Sequence, residues 1–100
     1  PGWYLDGRWI RRKFNTDGWP TTLMLVGAIA YLAEAAWHHP DLEVTWGKVW
    51  VKLMTHSAGG ITEKDFTLAK QIEQSVLWRP GENSPLDGTP NKWVRGGSKE

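Results

Sequence analysis

The feature that most constrains this chain is an apolar segment, Leu23 to Trp37, which ends in His38-His39-Pro40. Its apolar residues recur at the three- and four-residue spacing of a helix. Pro20 suits the first turn of that helix, where its missing N–H costs little. Pro40 disfavours helical backbone in the residue before it, so the helix should end near His38. The run falls short of the ~18 residues that would span a bilayer, so no membrane segment is expected.

The remaining faces of this helix are hardly more polar than its core-facing side. They carry Leu23, Met24, Ala28, Tyr31 and Ala35. A helix that is apolar nearly all round needs cover on more than one side, and a two-layer domain covers only one. We therefore expect a homo-oligomer, either a homodimer or a homotetramer, packed partly through this helix.

Alternating sequences on either side of the helix predict two β-hairpins. The first runs from Trp3 to Phe14 around Asp6-Gly7, a pair favoured in two-residue turns. The second runs from Leu42 to Leu53, with Gly47 expected to supply the turn conformation. In both hairpins, apolar residues alternate with polar or aromatic ones, as in strands with one buried face.

A second helix should start at Thr62, because Thr62-x-x-Asp65 matches a helix N-cap with an acidic third residue. Its expected buried stripe is Phe66, Ala69, Ile72 and Val76. The element order β-β-α-β-β-α predicts an α+β fold, a two-layer sandwich in which a four-stranded antiparallel sheet has helices packed on one face.

The composition changes after this helix, which divides the chain into a domain over residues 1–78 and an irregular tail over 79–100. Proline and glycine punctuate the tail, as in Pro80-Gly81 and Asp87-Gly88. Trp78 and Trp93 are expected to pin part of the tail to the domain, while Gly96 to Glu100 should fray.

The overall composition limits the possible functions. One hundred residues suit one domain that buries roughly two thirds of its unfolded surface. The net charge is +1, with acids and bases interspersed, so direct nucleic-acid binding is not expected. The absence of cysteine is compatible with a reducing cytoplasm, where we expect the protein to reside. The eight tryptophans must lie in a core, an interface or a stacking surface.

All three histidines of the chain lie between Glu34 and Asp65. Glu34 and His38 are four residues apart on the predicted helix and should share a face, where a hydrogen bond would fix the imidazole tautomer. The simpler interpretation is a surface pair at a helix end. His39 should diverge from His38, with one ring in a cleft and the other at its rim.

His56 follows the last strand and precedes a glycine bend, where functional side chains often project. A solvated edge histidine is the simpler alternative. Capping of the second helix would fully explain Asp65, and Trp46 is more often a core or interface residue than a substrate stacker. Three histidines and a carboxylate also suggest zinc, but the spacing differs from His-Glu-x-x-His. We therefore expect no metal and no other cofactor.

Taken together, Glu34-x3-His38-His39-Pro40-x5-Trp46-x9-His56-x8-Asp65 resembles the signature of the pterin-4a-carbinolamine dehydratases. The resemblance extends to segments outside that signature and covers about residues 3–74. These segments are Arg12-x-Phe14, Leu25-Val26, Ile29-Ala30, Thr55-His56, Gly59-Gly60 and Leu68-Ala69. Thr16, Trp19 and Ala58 depart from the family pattern, but none of these changes removes a histidine.

The resemblance implies an enzyme that removes water from a 4a-hydroxytetrahydropterin and gives the quinonoid dihydropterin, in tetrahydropterin recycling. It assigns proton transfer to His38 and His56, and Glu34 would set the tautomer and charge of His38. His39, Thr55 and Trp46 would bind the flat pterin. Asp65 would at most support these residues from behind. The departing hydroxyl needs a proton donor and a ring nitrogen needs a base, tasks that suit histidine near neutral pH.

The resemblance also allows a second function, that of a non-catalytic member acting as an assembly or regulatory partner. Such a protein should have its pocket blocked by side chains, and a surface rich in tryptophan would favour it. The complete set of histidines argues against it, because a protein without chemistry has no physical need for them.

Overall fold

A computed structural model describes residues 2–99 as an antiparallel sheet covered on one face by two helices. The strands are β1 (Tyr4–Asp6), β2 (Trp9–Asn15), β3 (Asp41–Thr45), β4 (Lys48–Leu53) and β5 (Arg95–Gly96). The helices are α1 (Trp19–Ala36) and α2 (Glu63–Val76). The predicted α+β sandwich is confirmed, with five strands in place of four.

The sheet has the order β1-β2-β4-β3, and β5 also pairs with β2. The first hairpin turns at Gly7, whose φ of 61° is the conformation expected of this turn. The second turns at Trp46-Gly47, but Gly47 is not among the positive-φ glycines, so its predicted role in the turn is wrong. Instead, its carbonyl accepts the N–H of Thr16 at 2.9 Å.

The core lies between the sheet and the helices. Alternate residues of the two central strands supply one side of it: Ile10, Phe14, Val49, Val51 and Leu53. The helices supply the other side: Leu25, Ile29, Leu68, Ala69, Ile72 and Val76. The apolar residues at every second strand position therefore pack against those at every third or fourth helix position, and together they form one core.

The outer side of α1 stays exposed in the single chain. Leu23, Met24 and Tyr31 are exposed, while the buried side holds Leu25 and Ile29. In residues 2–99, α1 alone is long and apolar enough to cross a bilayer by length and composition, a weak test that core helices also pass. The helix is thus longer than the apolar run suggested.

The start of α2 is the predicted capping box. The Thr62 hydroxyl accepts the N–H of Lys64, and the Asp65 carboxylate accepts the N–H of Thr62. The predicted buried stripe is wrong at one position, because Phe66 is 56% exposed and Leu68 takes its place in the core. Phe66 instead lines a groove of about 570 Å³ between β1 and α2.

The tail is more ordered at its end than the sequence indicated. Val94 is buried, Gly96 pairs with Phe14, and the N–H of Gly97 donates to the Lys13 carbonyl. The predicted fraying is therefore wrong at Gly96 and Gly97, while Glu100 lies outside the described residues. Trp93 packs partly against the core, whereas Trp78 is exposed.

The side chain of Arg12 explains why this glycine-rich segment docks. Its guanidinium makes two hydrogen bonds to Glu73 on α2, at 2.8 and 3.1 Å, and donates to the Gly97 carbonyl at 3.3 Å. Gly96 lies so close to Arg12 that an added Cβ would come within 2.3 Å of a guanidinium nitrogen. A larger residue here would therefore displace the Arg12 guanidinium from its present position.

Candidate functional site

The centre of the site is a hydrogen bond between His38 and Asp65. Helix α1 ends at Ala36, and Trp37 adopts a left-handed conformation with φ 53°. The His38 N–H then returns to the Ala33 carbonyl at 3.1 Å, which turns the side chain toward the start of α2. There, Nε2 of His38 lies 2.6 Å from Oδ1 of Asp65. This contact joins the ends of two helices that are distant in the sequence.

Asp65 is fully buried, and both of its carboxylate oxygens accept hydrogen bonds. Its Oδ2 accepts the Thr55 hydroxyl and the Thr62 N–H, both at 2.8 Å. Burial raises the pKa of this carboxyl, but hydrogen bonds from His38, Thr62 and Thr55, with the charge of His38, lower the pKa overall. Asp65 is therefore held as a carboxylate, and the cap uses one oxygen while the other faces His38.

Glu34 does not bond to His38, which corrects the expected helix pair. The left-handed residue Trp37 breaks the four-residue relation, so Glu34 meets His39 instead, with Oε1 2.8 Å from Nε2. The pair is open to solvent, and the Trp37 ring packs edge-on against His39 at 5.0 Å between centroids. The partner that fixes His38 is Asp65.

His56 begins a short 3₁₀ turn, His56–Ala58, just beyond β4. Its exposed ring packs edge-on against Trp9 of β2, with centroids 5.8 Å apart. Gly59 closes the turn with φ 69°. His56 is therefore adjacent in sequence to Thr55, which bonds Asp65, while its ring points toward the outer side of the sheet.

Thr55 contacts the Asp65 oxygen that does not face His38. Its N–H and carbonyl are both bonded to Gly60, at 2.8 and 3.3 Å, and its hydroxyl bonds Asp65. The Thr55 backbone is therefore engaged within the chain, and the expected pairing of the pterin with the strand backbone near Thr55 stays a prediction. The Thr55 hydroxyl positions the carboxylate.

Trp46 lies at the other end of α1 from His38. Its carbonyl accepts the Thr22 hydroxyl at 2.8 Å, and its exposed ring lies beside Gly18. An 18-residue helix is roughly 27 Å long. Within one chain, the structure does not bring Trp46 to the histidines, and its expected place in the binding site stays a prediction.

A groove of about 820 Å³ opens beside His38, between the end of α1 and the first turns of α2. Its lining includes Leu32, Trp37, Glu63, Lys64 and Leu68. Of the three histidines only His38 lines it. Within residues 2–99, no group of three or more His, Asp or Glu side chains is arranged to hold a metal ion.

The sequence model of the family described as pterin 4 alpha carbinolamine dehydratase matches residues 1–75. The chain belongs to this family. A protein of Aquifex aeolicus, provisionally named pterin-4-alpha-carbinolamine dehydratase, is 57% identical over 75 residues, which cover 75% of this chain and 76% of that protein. A protein of Roseiflexus sp. with the same provisional name is 48% identical over 73 residues, covering 73% of this chain and 78% of the relative.

Solved structures agree with this membership. The transcriptional coactivator/pterin dehydratase of Brucella melitensis is 35% identical, with a TM-score of 0.67 over 72% of this chain and 79% of that chain. A pterin dehydratase-like protein identified as a RuBisCO assembly factor is 20% identical, with a TM-score of 0.62 over 73% of this chain and 87% of its own. The second likeness shows the fold alone.

Two contacts of the site were missed from the sequence. The Thr62-x-x-Asp65 motif signalled a cap but not the free oxygen that reaches His38. The edge contact of Trp9 with His56 joins two hairpins, and no local spacing indicates it.

Proposed function

We propose that this protein catalyses the dehydration of a 4a-hydroxytetrahydropterin to the quinonoid dihydropterin and water, in tetrahydropterin recycling. Membership of the dehydratase family supports the reaction class. The observation that carries the proposal is the 2.6 Å contact between His38 and the buried Asp65 carboxylate, beside an open groove. A buried carboxylate that orients an imidazole is the usual arrangement of a general acid–base histidine.

The tautomer of His38 follows from this contact. Because Asp65 is ionised, it accepts a hydrogen bond, so Nε2 of His38 carries the proton it donates. Nδ1 is then the nitrogen left for the substrate. It can take a proton from the pterin ring nitrogen, or return one to the departing 4a-hydroxyl, which leaves as water. The proton removed from the nitrogen and the proton added to the hydroxyl balance over the turnover.

His56 is proposed as the second proton-transfer group. It follows Thr55 directly, and Thr55 bonds Asp65. Its ring packs against Trp9 outside the groove that His38 lines, so this role requires the pterin to reach both rings. His39, paired with Glu34 at the rim, is proposed to orient the pterin through its free Nδ1. Two positioned acid–base groups, each worth roughly 10²–10⁴-fold, would provide most of the acceleration.

We also propose that the protein acts in the cytoplasm as a homodimer or homotetramer packed through the outer side of α1. The exposed Leu23, Met24 and Tyr31 support this, since apolar side chains on one helix face favour burial against a partner. Light scattering of the intact chain should give a mass above 11.4 kDa, reduced by Leu23→Glu. A monomer at high protein concentration would overturn this assembly.

The enzymatic proposal is tested by the loss of absorbance of a 4a-carbinolamine. The intact protein should accelerate that loss, and His38→Ala and His56→Ala should each remove most of the acceleration. Circular dichroism checks that both variants keep the fold. No acceleration by the intact protein would refute the proposal.

A second candidate function is that of a non-catalytic assembly or regulatory partner. The exposed tryptophans favour it: Trp37 is 76%, Trp46 68% and Trp78 60% exposed. It also requires a blocked pocket, whereas the groove beside His38 is open. Specific co-purification of one protein, together with an inactive intact chain, would favour this function over catalysis.

A further inference from the structure

The face of the sheet that points away from the helices carries an unusual set of side chains, and we call it the open face. The helices cover Ile10, Phe14, Val49 and Val51, so the alternate positions of each strand point the other way. The open face contains Tyr4, Asp6, Trp9, Arg11, Lys13, Asp41, Glu43, Lys48, Trp50, Lys52 and Arg95.

Positive charge is concentrated on the open face. Its accessible cations are Lys48, Lys52, Arg95 and Lys99, whose Nζ lies over Tyr4. Lys13 is buried, and Arg11 is paired with Asp6 at 3.0 Å. Its acids are Asp6, Asp41 and Glu43. The net charge of the whole chain is only +1, so the residues outside the open face carry a net negative charge. The charge asymmetry suits an anionic partner on this side.

Two tryptophans lie among these cations. The Arg11 guanidinium carbon lies 5.0 Å and Lys13 Nζ 5.3 Å from the Trp50 ring centroid. Lys52 Nζ lies 4.5 Å from the Trp9 centroid. Trp9 and Trp50 are half-buried, so the sheet holds their rings in place while part of each remains accessible. Each ring therefore has at least one cation over it.

We propose that the open face binds single-stranded nucleic acid. Bases would stack on Trp9, Trp50 and the guanidinium plane of Arg11, while phosphates would contact Lys48, Lys52 and Lys99. Proteins that bind single strands combine aromatic platforms with a positively charged surface, and four-stranded sheets do this with exposed aromatic residues. The open face adjoins the proposed dehydratase site at His56, whose ring packs against Trp9. The proposal revises the expectation of no direct nucleic-acid contact.

The pairing of rings with cations favours a single strand over other anionic partners. The bases of a duplex are stacked inside it and cannot reach half-buried rings on a sheet. An acidic protein segment would satisfy the lysines but offers no flat groups for the tryptophans. A bilayer would need aromatic side chains that project, whereas Trp9 and Trp50 lie against their own sheet.

The test is the fluorescence anisotropy of a labelled oligouridine of about 12 nucleotides, titrated with the intact chain at low salt. Saturable binding is expected, with a slope of log affinity against log salt of roughly −2 if three phosphates are neutralised. Lys52→Glu should weaken binding about fivefold or more. Lys70→Glu on α2, which makes the same charge change on the helical side, should leave it unchanged.

A second pair of variants tests stacking. Trp50→Leu should weaken binding about fivefold or more, whereas Trp78→Leu, in the tail, should have no effect. A duplex of equal length, polyglutamate and vesicles containing phosphatidylserine should each bind at least about tenfold more weakly than the oligouridine. Equal binding of any of these, equal loss in Lys70→Glu, or no binding of the oligouridine would overturn the proposal.

Discussion

Two histidine–carboxylate pairs stand side by side in this protein, and they differ in burial. The side chains of His38 and Asp65 are 14% and 0% exposed, whereas those of His39 and Glu34 are 50% and 69% exposed. The contact distances are similar, at 2.6 and 2.8 Å. Water screens the second pair and competes for its hydrogen bonds, whereas Asp65 has only protein partners.

The comparison shows that the chemical identity of a pair does not determine its role. Asp65 is fixed by Thr55 and Thr62 before it meets His38, so the imidazole meets an oriented acceptor. The Glu34 side chain is 69% exposed, and its hydrogen bond is to His39. The buried pair is therefore suited to proton transfer and the exposed pair to adjustable contact at a rim.

The largest expected effect is that of Asp65→Asn on catalysis. The new amide can donate to Nε2 of His38, which moves the imidazole proton to Nδ1 and gives the wrong tautomer. We expect kcat for dehydration to fall roughly 10²–10⁴-fold, with about 1–3 kcal/mol lost from the free energy of unfolding. Stopped-flow absorbance and urea denaturation measure the two quantities. A variant with unchanged kcat would remove the distinction between the two pairs.

A second contrast between buried and exposed charges lies on β2. Arg12, 8% exposed, bonds Glu73, and Arg11, 22% exposed, bonds Asp6 on the opposite side of the strand. Arg12→Met should cost about 2–3 kcal/mol because it leaves Glu73 with the Trp3 indole N–H as its remaining partner and releases the tail. Arg11→Met should cost less than about 1 kcal/mol. Urea denaturation compares them, and equal costs would contradict the importance of burial.

Thr55→Val tests the support behind Asp65. The change keeps the shape of the side chain but removes the hydroxyl that donates to Oδ2. We expect a loss of about 1–2 kcal/mol in the free energy of unfolding, and kcat lowered about tenfold through misplacement of Asp65. Thr45→Val is the control, because that exposed hydroxyl makes only a long contact to the Lys48 carbonyl. Similar losses in both variants would refute the positioning role.

The pH dependence of stability provides a further test. The folded-state pKa of Asp65 lies below its ordinary value of 3.8. A lowered carboxyl pKa adds stability that is complete above the unfolded-state value and is lost as the pH falls through the folded-state value. Between about pH 6 and about pH 3, the wild-type protein should therefore lose more unfolding free energy than Asp65→Asn does. Parallel curves would mean that Asp65 contributes nothing to acid sensitivity.

The smallest expected effect belongs to Glu34→Gln. Exposed pairs contribute roughly 0–1 kcal/mol, and a glutamine still accepts a hydrogen bond from His39. We expect less than about 0.5 kcal/mol in stability and at most a few-fold rise in KM, with kcat unchanged. A fall in kcat comparable to that of Asp65→Asn would place the catalytic pair at Glu34 instead.

Much of the fold could be predicted because its signals are local. Asp6-Gly7 marked the first hairpin, Pro20 and Pro40 bracketed α1, and Thr62-x-x-Asp65 marked the start of α2. Alternation in β2 and β4 identified the core-facing residues. Each of these features depends on neighbours within about four residues.

The details that could not be predicted depend on contacts between distant residues. The left-handed Trp37 redirects His38 from Glu34 to Asp65, and no propensity indicates that conformation in a tryptophan. Strand β5 is held by contacts with Arg12 and the Phe14 backbone. The glycine-rich tail has no alternation of apolar and polar residues that would have predicted a strand. The cations of the open face come together only when the strands are paired.

The most direct test of the central claim is the protonation of the His38 ring, measured by ¹⁵N NMR of the imidazole nitrogens at a pH where the ring is neutral. We expect a proton on Nε2, donated to Asp65, and its transfer to Nδ1 in Asp65→Asn but not in Glu34→Gln. A proton on Nδ1 in the wild-type protein, or the same spectrum in Asp65→Asn, would contradict the claim.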